Sequence, residues 1–347
     1  MTEYRWIALF AEQLRRCDLG HGEVVAVLSE SASRPLLVET ARLAAQLCGA
    51  AVIDLVVPTP ANEQPVPIRS TGASQALQGN RAAIAALAAS DLVLDCTVEG
   101  LLHAPELGAV LAGSARVLMI SNEHPENFER YRFDPGLARR VELGATWVRS
   151  ATSMRVTSEA GTELEVGLAD AFVAGSTGLT AGPGSIAHWP GGLVAAFPAA
   201  GSVGGTVVIA PGDLNLTFKR YAESPVRLVV EVDHVVAVEG DGADAILFRS
   251  YLSAFPDAGS RATSHLGFGM NQTARMDYLE LYDKSDVNGT EARACAGNFL
   301  FSTGANEHAG RFGAGHFDLP LAGHTIELDG RVVVERGVLC PELAGAP

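Results

Sequence analysis

Cysteine is scarce and badly spaced for bridging. The five thiols, Cys17, Cys48, Cys96, Cys295 and Cys340, form an odd set without a CxxC pair, so neither a disulfide framework nor a zinc knuckle is indicated. They read as reduced core or surface thiols. Long apolar runs are missing as well: no stretch approaches the ~18 uninterrupted apolar residues of a membrane span. Met1 to Arg16 scatters Glu3, Arg5, Glu12, Arg15 and Arg16 among short apolar pieces, unlike a secretory leader. Positive charge is in short supply, with 25 Lys and Arg against 40 Asp and Glu, a formal net charge of -15 and a pI of about 5.0. Nucleic acid and anionic membrane surfaces are therefore disfavoured partners. The expected setting is a reducing cytoplasm, and the expected partner is a small molecule or a peptide.

Several catalytic signatures are also absent. There is no Gly-x-Gly-x-x-Gly after the first strand, no Walker-type phosphate loop, no Gly-x-Ser-x-Gly elbow and no His-Glu-x-x-His. Nucleotide chemistry is a poor reading on that ground.

What is present suffices for a real core: 347 residues with 48% hydrophobic content, near one large or two medium domains. From Glu23 to Ser121 the apolar runs alternate between strand-like and helix-like lengths, the pattern of βαβ units feeding a parallel sheet. Strands are expected at Val24 to Leu28, Val52 to Val57, Leu92 to Asp95 and Val117 to Ile120, each nearly continuously apolar, as suits burial on both faces. Pro35 to Cys48 and Arg81 to Ala89 carry helix-favouring Ala, Leu and Gln between them. Pro135 to Ala151 reads as a helix. Beyond it the rhythm changes to short alternating runs: Met154 to Thr157, Glu163 to Val166, Thr206 to Ile209, Val226 to Val232, Val235 to Val238, Thr325 to Leu328 and Val332 to Glu335. The expected architecture is an α/β domain with a parallel sheet over residues 1–150, followed by an α+β, β-rich metal-site domain over 151–347. Gly175 to Gly192, rich in Gly, Thr, Pro and Ser and containing His188 and Trp189, has the composition of a loop over a surface or across a cleft.

The sharpest chemical signal is His316-Phe317-Asp318. On an extended segment the first and third side chains point to one face, able to grip one ion. His265, in Ser264-His265-Leu266-Gly267-Phe268-Gly269, is the best third ligand, because the glycines after it permit an unusual backbone path. Two histidines and a carboxylate form a facial triad that leaves positions open for substrate and dioxygen on Fe(II), although zinc hydrolases use similar ligands. The bland alternative is a chance His-x-Asp and a hydrogen-bonded core His265. His103 follows the Leu92 to Thr97 run, at the strand ends where an α/β sheet opens into a crevice. There an imidazole, titrating near ~6.5 when unperturbed, can take a proton from a hydroxyl substrate; a lone loop histidine is otherwise structural. Arg293 and Ser302 flank Gly297-Asn298-Phe299-Leu300-Phe301-Ser302-Thr303-Gly304, a buried strand with a turn or a pocket wall where Arg293 orients an anionic oxygen.

The pieces Leu101-Leu102-His103 with Pro105-Glu106, His188-Trp189-Pro190, Gly212-Asp213 with Phe218-Lys219, Ser264-His265, Ala292-Arg293, Gly297 to Gly304, and His316-x-Asp318-x-Pro320-Leu321 together resemble the 2,5-dihydroxypyridine 5,6-dioxygenases of bacterial nicotinate degradation, a family related to the aminopeptidase T metallopeptidases. The resemblance runs along most of the chain. It implies an Fe(II) enzyme that opens a hydroxylated pyridine ring with dioxygen to an N-formylmaleamate-type product, and a homo-oligomer. By the same matches His265, His316 and Asp318 are the implied iron ligands, His103 the implied base, and His188, Arg293 and Ser302 the residues implied near the substrate. One feature departs: family members carry an acidic residue upstream of the His-Trp pair, whereas Ala171 to Ala187 contains no Asp or Glu. A missing carboxylate removes a polar contact and alters which ring substituents are tolerated. The alternative from a second class is a metallo-aminopeptidase, whose two bridged metals would recruit extra carboxylates, with Glu280, Glu291 and Glu307 nearby in sequence. A metal-free binding protein using the α/β cleft would leave the His265 and His-x-Asp set unexplained.

Overall fold

The computed structural model describes residues 1–61, 75–180 and 182–345. The apolar runs of the first half form one parallel sheet, in the order Ala51–Val57, Val24–Glu30, Leu92–Asp95, Arg116–Met119, Ile186–His188. Alternate residues of each strand serve opposite cores. Val25, Val27, Leu92 and Leu94 pack against the helices Tyr4–Arg16 and Pro35–Leu47, while Ala26, Leu28, Val93 and Val117 pack against Arg81–Ala88 and Leu107–Ala112. Burial on both sides explains why these strands read as continuous apolar runs. Tyr4–Arg16 buries Trp6, Phe10 and Leu14, a helical i, i+4, i+8 stripe within a segment weighed above only as a possible leader.

The antiparallel part begins at Ser153, after the helix Leu137–Ser150. One sheet has eight strands, running His234–Glu239, Val226–Glu231, Val203–Ile209, Glu163–Gly167, Ser153–Thr157, Thr325–Leu328, Arg331–Glu335, Val338–Leu339. A second has five, running Arg311–Leu321, Phe299–Asn306, Thr263–Gly269, Leu193–Phe197, Phe172–Ser176, and Leu214–Asn215 pairs with Arg220–Tyr221 in a small third sheet. Val156, Leu164, Leu228 and Ile326 from the first share a core with Phe268, Phe299, Phe317 and Leu319 from the second, closed by Phe248 of the helix Ala243–Ala254 and Val141 of Leu137–Ser150.

The glycine-rich stretch from Gly175 to Gly192 joins the two parts. It leaves the five-stranded sheet at Ser176 and enters the parallel sheet at Ile186, pairing Met119 with His188. Its ends are strands, because the flanking backbone groups find partners in two different sheets. Among the described residues no helix is long and apolar enough to cross a membrane.

Candidate active site

Three neighbouring strands build the floor of the site. In the Arg311–Leu321 strand His316 and Asp318 sit two residues apart on one face, both buried, with Asp318 opposite Ser302 and His316 opposite Gly304. Gly304 has φ +116, and a Cβ there would lie 2.1 Å from the Gly315 carbonyl oxygen, so the strands approach closely beside His316 only because that residue is glycine. Across Phe299–Asn306, Thr263 pairs with Thr303 but Leu266 pairs with Phe301. One extra residue is thus accommodated at Ser264 and His265, a β-bulge that re-aims the His265 ring. The irregularity precedes the glycines expected to permit it. Gly267 and Gly269 serve close strand packing instead, since a Cβ would fall 1.9 Å from Val194 O and 2.1 Å from Cys295 O.

The side chains then interlock. Asp318 Oδ1 lies 3.1 Å from His316 Nε2 and 3.7 Å from His265 Nε2, and it accepts from the Ser302 hydroxyl. Asp318 Oδ2 accepts from Arg293 Nε at 2.6 Å. Ser264 Oγ lies 3.0 Å from His265 Nδ1 and donates to the Ala305 carbonyl. Tyr251, from the helix Ala243–Ala254, donates to His316 O at 2.7 Å and fixes the backbone of the strand that carries His316 and Asp318.

Burial pushes the His265 imidazole well below its ordinary range and pushes His316 down too, so both rings are neutral, the form that binds a metal. Burial alone would raise the Asp318 carboxyl, but the Arg293 charge and then His316 outweigh it and hold Asp318 well below the usual carboxylate range. His188 is lowered to about 4, first by burial and then by the Arg293 and His103 charges.

The parallel sheet supplies the opposite wall. Asp95, buried at a strand end, accepts from Thr97 N, Thr97 Oγ1 and Leu101 N at 3.0, 2.6 and 2.7 Å, which shapes the loop carrying His103. The buried His103 ring lies 4.5 Å from His316 and 5.8 Å from His265, centroid to centroid.

The cleft between the two walls is lined by His103, His188, His265, Arg293, His316 and Asp318, with Leu102, Leu193 and Leu216 as apolar sides. All of the expected site residues meet here except Ser302, whose fully buried hydroxyl sits behind the wall, bonded to Asp318 and 3.2 Å from His265 Nε2. Ser176, from the loop that departs from the family pattern, lines the cleft. Among the described residues one group of His, Cys, Asp or Glu side chains could hold a metal: His103, His265 and His316, with ligand atoms within 4.8 Å of one another. Asp318 borders that set, so four groups offer two overlapping triads. The donor set fits a divalent cation: neutral imidazoles, an ionised carboxylate, and buried nitrogens without protein partners at His316 Nδ1 and His103 Nε2.

The three glutamates weighed for a second metal do not join the histidine group. Glu280 is exposed, Glu291 pairs with Arg130, and Glu307 faces His103 Nδ1 at 3.2 Å. Sequence reading weighed Glu307 only as a spare carboxylate for a second metal and gave Ser264 no role. Ser264 stood beside a suspected ligand and could have been found; Glu307 meets His103 only through the fold.

A family model described as NicX: 2,5-dihydroxypyridine 5,6-dioxygenase matches residues 5–341. A curated protein named 2,5-dihydroxypyridine 5,6-dioxygenase, from Pseudomonas putida KT2440, is 34% identical over 341 residues, 96% of this chain and 96% of its own. The solved structure of 2,5-dihydroxypyridine dioxygenase from Pseudomonas putida KT2440 superposes with a TM-score of 0.92 at 32% identity, over 99% of each chain. Wild-type AmpT from Thermus thermophilus gives a TM-score of 0.64 at 15% identity, over 96% of this chain and 99% of the other. That last likeness is one of fold alone.

Proposed function

The chain belongs to the 2,5-dihydroxypyridine 5,6-dioxygenase family, and from that premise we propose that it opens 2,5-dihydroxypyridine, or a closely related hydroxylated ring, with dioxygen to an N-formylmaleamate-type product. The metal is read as one Fe(II) ion held by His265, His316 and Asp318. The observation that carries this reading is the meeting of two neutral histidines and an ionised aspartate on adjacent strands, at the floor of a cleft that His103 faces from the other side. Asp318 is preferred to His103 as third ligand because a buried anion 3.1 Å from His316 Nε2 supplies the charge that balances a dication. Bound there, Fe(II) would take up ring and dioxygen and would supply the unpaired electrons that lift the spin barrier between them.

The residues of the chain do the rest. His103 Nε2 takes the proton of a ring hydroxyl, leaving an electron-rich anion. His188, neutral at working pH, offers a hydrogen bond without a second cation. Arg293 compensates the negative charge shared by Asp318 and the ionised ring. Leu102, Leu193 and Leu216 flank the ring and exclude water. A cytoplasmic homo-oligomer is the accompanying reading, supported by the five free thiols and by the family resemblance. No observation favours the aminopeptidase, which needs a second, carboxylate-bridged ion.

The test is metal content after anaerobic purification, together with oxygen uptake on 2,5-dihydroxypyridine. The parent should carry a single iron per chain. His265→Ala, His316→Ala and Asp318→Ala should each lose it with the fold kept; full iron occupancy in any of them removes that residue from the triad. His103→Ala should keep iron while kcat drops about 100- to 10,000-fold, the usual worth of a positioned base. Iron loss in that variant would make His103 a ligand.

A further inference from the structure

Glu307 opens the single-turn helix Glu307–Ala309 at the end of the Phe299–Asn306 strand. Asn306 anchors the turn by accepting from Ala309 N at 3.1 Å and donating to Pro198 O at 3.0 Å. From there the two carboxylate oxygens reach His103 Nδ1 at 3.2 and 3.4 Å. An ionised carboxylate only accepts hydrogen bonds, so Nδ1 carries the hydrogen. A neutral imidazole has one N–H, which leaves the lone pair on Nε2. That nitrogen is buried and has no protein hydrogen-bond partner, on a ring grouped with those of His265 and His316.

We propose that Glu307 is the positioning residue of the base: it fixes His103 in the Nδ1–H tautomer, aims Nε2 at the ring hydroxyl, and balances the imidazolium that forms. This rests on the reading of His103 as the base. In the step, the ring O–H bond breaks and an Nε2–H bond forms. The electron pair stays on the ring oxygen, and the new positive charge on His103 faces Glu307. No oxidant or co-reactant enters. Glu307 does not line the cleft, so it acts through His103 alone.

The experiment uses the iron-loaded enzyme without oxygen and reads the absorbance of bound 2,5-dihydroxypyridine, which separates the neutral ring from its anion; kcat and KM are measured afterwards in air. The parent should bind the anion. Glu307→Ala should keep its iron and its KM, hold the ring in the neutral form at the same pH, and lose about 100-fold or more in kcat. Glu307→Gln, whose carbonyl still accepts from Nδ1–H, should fall between the two. An anion spectrum and parental kcat in Glu307→Ala would overturn the proposal. Loss of iron in that variant would overturn it too, since the pair would then support a metal ligand. A parent enzyme that neither binds nor oxidises the dihydroxypyridine would overturn the functional reading, and this inference with it.

Discussion

Ser264 has a single hydroxyl hydrogen, and its direction decides which nitrogen of His265 can bind a cation. The hydroxyl donates to the Ala305 carbonyl, so it must accept from His265 Nδ1–H, and Nε2 is turned toward Asp318 and the Ser302 hydroxyl. Ser264→Ala removes that orientation while leaving His265, His316 and Asp318 in place, and on the proposed reading should weaken metal binding by about 10- to 100-fold. Iron titration of the metal-free variant against the parent checks this; equal affinities would show that the bulge alone orients the ring. Ser176 bears on specificity. It lines the cleft in a segment without carboxylates, and its hydroxyl accepts from His188 N at 3.2 Å. An unmet polar group in a dry pocket costs about 1–3 kcal/mol, so the parent should discriminate weakly between hydroxypyridines and carbocyclic rings. Ser176→Glu or Thr177→Glu should sharpen that preference by about tenfold to a hundredfold in kcat/KM. The comparison is 2,5-dihydroxypyridine against gentisate-like and hydroquinone-like rings. Strong pyridine preference in the parent, unmoved by the added glutamate, would assign the acidic role elsewhere. The His316 and Asp318 pair was readable in the chain because the two-residue period of a strand is a local property. The Ser264 contact was not, since its acceptor Ala305 stands 41 positions away.

Arg293 rides on Thr290–Ala294, a helix of five residues, too short to persist without outside support. Its supports come largely from the other part of the molecule. Glu291 accepts from Arg130 Nη1 at 2.6 Å, Tyr131 Oη at 3.0 Å and Arg275 N at 2.9 Å, while Glu123 accepts from Gly289 N at 3.0 Å. Glu291 is almost fully buried, so removing Arg130 strands a buried carboxylate. Arg130→Ala should cost about 3 kcal/mol, and the Arg130→Ala, Glu291→Ala double variant should cost less than the sum of the singles by about 2 kcal/mol. Urea unfolding of the four proteins gives both figures, and strict additivity would dismiss the clamp. The long helices and βαβ strands stood out in the sequence through apolar periodicity. Tyr4–Arg16 carried the same signal in Trp6, Phe10 and Leu14, but the segment was weighed only against a leader peptide. The Thr290–Ala294 helix carried none, because long-range ion pairs hold it.

The two parts of the molecule are laced at several points. Ile186–His188 completes the parallel sheet from within the glycine-rich stretch. Arg34 pairs with Asp286 at 2.7 Å, Gln13 Nε2 donates to Gly178 O at 2.6 Å, and Glu307 holds His103. Metal-free enzyme should therefore melt in one transition whose calorimetric and van't Hoff enthalpies agree; two resolved transitions would mean that the parts unfold independently. This lacing was the least readable level. A three-residue strand inside a Gly/Pro-rich run has no periodicity to detect, and the change of rhythm near residue 150 says where antiparallel structure starts without saying that the chain later returns.

That return also bears on the order in which the chain is made. The strand that covers the edge of Arg116–Met119 is synthesised roughly seventy residues after it, a delay of about 3.5 to 14 s at ordinary elongation rates. During that interval Val117, Leu118 and Met119, all buried in the finished protein, present a bare parallel edge, a ready template for another strand. A chain cut short between these two strands would be a seed for aggregation.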